Sequence, residues 1–219
     1  HEGEVFPGWT PLSRRERTVQ LDAREIRFSP SGWPESLVSR GADLLARPVA
    51  VTVVAGQEAT RLRAQGELQV THEAADRIVT VGQASGAALR LSTTVTTEFD
   101  GMMKIESTLT PDQATRVDGL RVEIPLKAQH AAFIGYWTGM RNFRAATRYR
   151  LLDDRDGVLF SSADPGRRTH ENIRGSFIPY VHVADDERAL AWFAENDRGW
   201  TKSETAPAIS DDSHHLRVE

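Results

Sequence analysis

The chain has 219 residues, 39% hydrophobic and 26% charged, with no cysteine and a formal net charge of −4. That length holds one large all-β domain or two small ones. The charge excludes the basic footprint of a nucleic-acid-binding surface, the missing cysteines exclude disulfides and thiolate metal sites, and no run approaches the roughly 18 apolar residues of a membrane-spanning helix.

Residues 1–20 are proline-rich and then charged, and Trp9-Thr10-Pro11-Leu12 is expected to run as an extended lead-in. The start, His1-Glu2-Gly3, has neither an initiator Met nor a signal peptide and reads as that of a processed or excised piece. Val19 to Phe28 alternates apolar and polar residues, the period of a strand or two. Ser29 to Pro34 holds two prolines and a glycine and must turn. Leu37 to Leu45 is short and interrupted by Gly41, and Val49 to Val54 is a β-branched run typical of a buried strand, with Gly56-Gln57 as its turn.

From Gly66 to Thr97 the alternation is strong. Leu68, Val70 and His72 share one parity, Ile78, Val79 and Val81 follow a break at Asp76, and Leu89, Leu91, Thr93, Val95 and Thr97 share another. Asp100-Gly101 is a tight-turn dipeptide leading into Met102 to Leu109; Thr110-Pro111-Asp112 ends that run and Val117 to Leu126 begins the next. Short strands every 8 to 12 residues or so, with turn chemistry between them, argue for an antiparallel sandwich.

His130 to Arg150 leaves alternatives open. Ala131, Ile134, Trp137 or Thr138 and Met140 fit a helix face, Gly135 and Gly139 weaken it, and a sheet insertion or long loop fits as well. Asp153 to Gly157 reads as a turn before a Val158–Phe160 strand, and Ala163 to Arg174 as a polar loop. Phe177–Val183 and Leu190–Ala194 flank the polar Ala184-Asp185-Asp186-Glu187-Arg188, which folds the chain back as a hairpin. A turn, Asn196 to Gly199, then delivers Trp200 to the rim, and a weakly patterned tail runs to Glu219. Nowhere do strands and helices alternate as a doubly wound sheet or barrel requires.

Several of these stretches, FIPYVHVADDERALAWFAENDRGW, FDGMMKIESTLTP, VDGLRVEIPLKAQHAAFIGYW, REIRF and LVSRGADLLARPV, occur in an order that resembles the amino-terminal region of glycoside hydrolase family 123 and its uncharacterised relatives, from Arg24 to Trp200. The resemblance implies an all-β, antiparallel β-sandwich of the carbohydrate-enzyme type with long loops. It also implies a (β/α)8 barrel downstream and a further small β domain. Members of the family resemble β-N-acetylgalactosaminidases in which neighbouring Asp and Glu residues of the barrel work with the acetamido group of the substrate, one of the substrate-assisted exceptions to the two-carboxylate pattern. A barrel takes about 250 residues, so the expected division is a lead-in at 1–23, a sandwich at 24–200 and a tail at 201–219 leading to a barrel outside this chain. The partners expected are that catalytic domain of the same protein and glycans, with no nucleic acid and no membrane span. The family implies a secreted or periplasmic bacterial protein.

On that reading no catalytic residue and no cofactor is expected here. Asp186-Glu187 matches the hairpin, not the barrel, and is a charged turn. Sugars stack their flat C–H faces on aromatic rings beside planar polar groups, which makes Tyr136, Trp137, Asn142, Asp197 and Trp200 the carbohydrate-binding candidates; Trp137 and Trp200 neighbour glycines and are expected in loops, while Trp192 is expected in the core. No metal site is expected. His130, His170 and His182 are scattered, His214-His215 beside Asp211-Asp212 is a polar tail, and Asp154-Arg155-Asp156-Gly157 is half a calcium loop without its other ligands. Neither G-x-S-x-G nor G-x-x-x-x-G-K occurs. Three readings follow: a scaffold domain of a glycoside hydrolase, a free-standing carbohydrate-binding module, and an enzyme using Asp185, Asp186, Glu187 and Asp197, which would need two carboxyls about 5 to 10 Å apart across a cleft.

Overall fold

The computed structural model describes residues 3–137, 147–150, 157–161, 180–194 and 215–218. Among these the chain is all-β and antiparallel, as the alternation demands, with one short 3-10 turn at Ala128–His130. It divides into two compact units, His1–Pro125 and Leu126–Glu219.

Unit 1 begins with a five-stranded meander in strict chain order: β1 (Ser13–Arg15), β2 (Thr18–Leu21), β3 (Arg24–Phe28), β4 (Pro34–Ser39) and β5 (Ala42–Asp43). The first two strands fall within the stretch expected to be a lead-in. Val19 stands opposite Ile26, and Ile26 opposite Leu37, so one face collects the apolar residues of three strands. Val19 and Phe28 are wholly buried there. The Arg40-Gly41 loop has positive φ at both residues, the geometry that suits the twist of a two-residue hairpin.

β6 (Ala50–Ala55) and β7 (Glu58–Arg61) form the next hairpin, and β8 (Arg63–Ala64), β9 (Gln69–Glu73), β10 (Arg77–Gly86), β11 (Leu89–Glu98) and β12 (Met103–Pro111) build a second five-stranded sheet. β13 (Gly119–Glu123) then returns to pair with β6. Asp118 secures that return: its carboxylate accepts the Gly56 N–H at 2.6 Å and the Arg116 guanidinium at 2.7 Å, which together hold its pKa below the usual carboxylate value.

The centre of the second sheet is the β10–β11 hairpin. Its inner face pairs Ile78 with Thr97, Thr80 with Val95, Gly82 with Thr93 and Ala84 with Leu91, and every one of these residues is buried. Burying a side chain the size of Ile78 or Leu91 contributes about 1.5–3 kcal/mol. The Ser29–Gly32 loop of the first sheet lies directly against this face. A Cβ on Gly82 would overlap the backbone of Ser31 and Gly32, so only glycine lets the two layers approach so closely. The sandwich expected from the strand spacing is therefore present in unit 1. The Asp100-Gly101 turn is also where the sequence puts it, with Gly101 at φ +89° and the Met102 N–H held by Asp100 at 2.9 Å.

Unit 2 contains β14 (Phe133–Trp137), β15 (Thr147–Arg150), β16 (Gly157–Ser161), β17 (Tyr180–Ala184), β18 (Ala189–Phe193) and β19 (His215–Val218). Four of them form a sheet in the order β15-β14-β17-β18, and β16 pairs with β19. Two stretches become definite here. Of the alternatives open for 130–150, the described residues take the sheet, with β14 and β15, and 138–146 lie outside the described residues. Gly135, which weakens a helix, is what β14 needs, because a Cβ there would overlap the His182 imidazole on the neighbouring strand. The weakly patterned tail contains β19, whose pairing partner lies some sixty positions earlier and leaves no local trace.

Candidate functional site

The β17–β18 hairpin turns as expected, and its turn is built around one carboxylate. Asp185 donates its own N–H to the Arg188 carbonyl at 3.0 Å, while its Oδ1 accepts the N–H groups of Glu187 and Arg188, each at 2.7 Å. Its Oδ2 meets His130 Nδ1 at 2.6 Å and the Arg188 guanidinium at 3.4 Å. Burial pushes the Asp185 pKa up, but the Glu187 N–H, the His130 ring and the Arg188 N–H and guanidinium outweigh it and bring the value down to about 2. The residue is an ionised anchor that ties the 3-10 turn at Ala128–His130 to the hairpin. Its neighbours Asp186 and Glu187 are exposed at the tip, and Glu187 pairs with Arg188 at 3.0 Å. The turn carboxylates thus serve the turn, as the hairpin motif implies.

The anchored sheet has two chemically different faces. Register sets Ile134 opposite Val183 and Val183 opposite Leu190; the next row is Tyr136, Val181 and Trp192. On this face Ile134 is fully buried, while Val181, Val183, Leu190 and Trp192 are half-buried, so Trp192, expected in the core, is only partly covered. The opposite face carries the rows Arg150-Phe133-Ala184-Ala189, Arg148-Gly135-His182-Ala191 and Trp137-Tyr180-Phe193. On β18 its residues Ala189, Ala191 and Phe193 are exposed, with Phe193 at 51%, whereas Gly135 and Ala184 are buried and Tyr180 and His182 half-buried. The Tyr180 and His182 rings meet edge to face with centroids 5.7 Å apart.

These placements sort the carbohydrate candidates. Trp137 is the last residue of β14, paired with Tyr180, which corrects the expectation of a loop. Tyr136 and Trp137 are adjacent on one strand, so they belong to opposite faces of the sheet. Asn142, Asp197 and Trp200 lie outside the described residues. Tyr180 and Phe193 were not singled out by the sequence, although register brings both into one row with Trp137. Alternation places each on a face of its own strand, but only the pairing of β14 with β17 shows that the faces coincide.

Unit 1 holds a cavity of about 270 Å³, lined chiefly by Trp33, Val49, Val51, Leu62 and Leu91 and flanked by Arg61 and Arg63. Among the described residues no group of three or more His, Cys, Asp or Glu side chains could hold a metal ion, and no helix is long and apolar enough to cross a membrane.

Comparison with known proteins adds one match. The family model described as glycoside hydrolase 123, third domain, matches residues 12–148, which is more than half of the chain and runs from the entry of β1 into β15. The description numbers the domain third and says nothing of an amino-terminal position. No curated protein matches the chain.

Proposed function

The chain belongs to glycoside hydrolase family 123, through that family's third domain, and on that premise we propose that it is a non-catalytic β-sandwich part of a β-N-acetylhexosaminidase-type protein, scaffolding a catalytic barrel. The family match carries this reading. The local chemistry supports it: Asp185 is committed to its hydrogen bonds, and Asp186 and Glu187 are exposed at a hairpin tip. A substrate-assisted pair needs an Asp that orients the acetamido group and a Glu that reaches the glycosidic oxygen within one cleft, an arrangement that an exposed hairpin tip does not supply.

The partner is a catalytic domain of the same protein, which would hold the acid and the acetamido-orienting residue. Hydrolysis of a panel of aryl glycosides, including the β-N-acetylgalactosaminide and β-N-acetylglucosaminide, separates the cases. The 219-residue chain is expected to turn over none of them, and a form that includes the catalytic domain to cleave at least one. Turnover by the short chain, lost in Asp186→Asn or Glu187→Gln, would overturn the reading.

A second reading, a carbohydrate-binding module working through exposed aromatic residues, is favoured by the row that includes Trp137. It predicts a change in tryptophan fluorescence with sugar that is abolished by Trp137→Ala or Trp200→Ala.

A further inference from the structure

We propose that β12, the edge of the second sheet in unit 1, is where two copies of this chain meet: the strand pairs antiparallel with itself across a two-fold axis at Ile105 and joins the two sheets into one. Among the described residues β12 pairs with β11 alone, from Met103 to Pro111. The Glu98 N–H donates to the Met102 carbonyl and the Asp112 N–H to the Ala88 carbonyl, each at 2.9 Å. That phase turns the backbone groups of Lys104, Glu106 and Thr108 toward β11 and those of Met103, Ile105, Ser107 and Leu109 away from it. A row of outward N–H and C=O groups is a template for another strand.

The two edges of this sheet differ. Beyond β10 the edge is divided between β8, of two residues, and β9, of five, and the register of β9 shifts at Val79/Thr80. Short strands and bulges are the usual protection against edge pairing. β12 is nine residues long and keeps one register throughout. The core also runs out beneath it: Leu91, Val95 and Thr97 of β11 are buried, whereas Leu109, Ile105 and Met103 opposite them are only half-buried. One more strand would complete that cover.

The charges of β12 select a second copy as that strand. A two-fold axis at Ile105 sets Lys104 of each copy opposite Glu106 of the other, with Ile105 opposite Ile105 and Met103 opposite Ser107. Because Lys104 and Glu106 direct their backbone groups at β11, their pairs between copies are of the non-hydrogen-bonded kind, in which side chains stand closest. Within one copy the two already meet at 3.0 Å, each with 57% of its side chain exposed, so the second copy turns one surface ion pair into a row of four alternating charges. Neighbouring registers do worse. An axis at Lys104 or Glu106 opposes like charges, and one at Ser107 sets Met103 against Pro111, which has no N–H to give. Lysine on an edge ordinarily repels a further strand; here the Glu106 of the other copy answers it.

Sedimentation equilibrium of the 219-residue chain over about 1 to 300 μM reads this association directly. One strand per copy is a small interface, so a reversible dimer with a Kd of about 10–100 μM is expected. Lys104→Glu and Glu106→Lys each turn two attractive pairs into two repulsive ones and should weaken the dimer about tenfold. Combining Lys104→Glu with Glu106→Lys restores opposite charges and should bring the Kd back to within about threefold of the native chain. Ile105→Pro removes an N–H that faces away from β11, which an edge strand tolerates, and should abolish the dimer; circular dichroism checks that the fold survives. A chain that stays monomeric over the whole range, or a dimer indifferent to both single charge changes and to Ile105→Pro, overturns the proposal. Neither result bears on hydrolysis, so the scaffold reading stands or falls separately.

Discussion

Asp185→Asn is the most informative single change in unit 2. The carboxylate gathers two backbone N–H groups, a histidine ring and a guanidinium within 2.6 to 3.4 Å. Its pKa falls from 3.8 to about 2. At about 1.4 kcal/mol per unit that is a ceiling near 2.5 kcal/mol; with 14% of the side chain still exposed, solvent screening reduces it to about 1–2 kcal/mol. Because the folded-state value lies below the unfolded one, this stabilisation is fully present above the unfolded pKa and fades as the pH falls from about 5 to 2. Asparagine keeps one oxygen for the Glu187 and Arg188 N–H groups but loses the charge that serves His130 and Arg188, so the same 1–2 kcal/mol or so should disappear at neutral pH. Hydrogen exchange on peptides covering 180–194, corrected for the intrinsic rate at each pH, reads the opening free energy of this hairpin alone. The native chain should lose protection between about pH 5 and 2.5, and the Asn variant should begin lower and stay nearly level. An Asn variant with native protection at pH 7, or with the native acid transition, would refute the anchoring role.

Two further predictions concern unit 1. The β10–β11 hairpin is closed by Ala87 and Ala88 at φ +52° and +57°, a left-handed conformation that costs an alanine about 1 kcal/mol each. Replacing the pair with Asn-Gly should therefore raise stability by about 1–2 kcal/mol in urea denaturation, and an unchanged midpoint would mean that the turn relaxes in solution. The Thr97 hydroxyl is buried and has no protein partner, whereas the Thr93 hydroxyl bonds Ser107 at 3.1 Å. Thr97→Val should be neutral or stabilising by up to about 1 kcal/mol, and Thr93→Val should cost about 1 kcal/mol. A loss at Thr97 as large as that at Thr93 would show that its hydroxyl is satisfied by bound solvent.

Much of this molecule was determined by the sequence alone because the determinants are local. Alternation at period two marks Leu89 to Thr97 as a half-buried strand, Asp100-Gly101 marks its turn, and the polar run from Asp185 to Arg188 marks the last hairpin. The ordered series of such motifs also sufficed to indicate the family. Where the local signal was missing or misleading, sequence reading stopped. Ala87-Ala88 carries none of the residues that favour its turn, and the glycines that count against a helix in 130–150 do not say that Gly135 makes room for an imidazole 47 positions later. The site depends still more on distance along the chain. His130 and Asp185 are 55 residues apart, and Trp137, Tyr180 and Phe193 form a row only because β14 pairs with β17 and β17 with β18 in one register. A strand's own pattern fixes which of its side chains share a face. Which strand lies beside it, and in what register, follows from the packing of the whole sheet, and only the tertiary structure decided that.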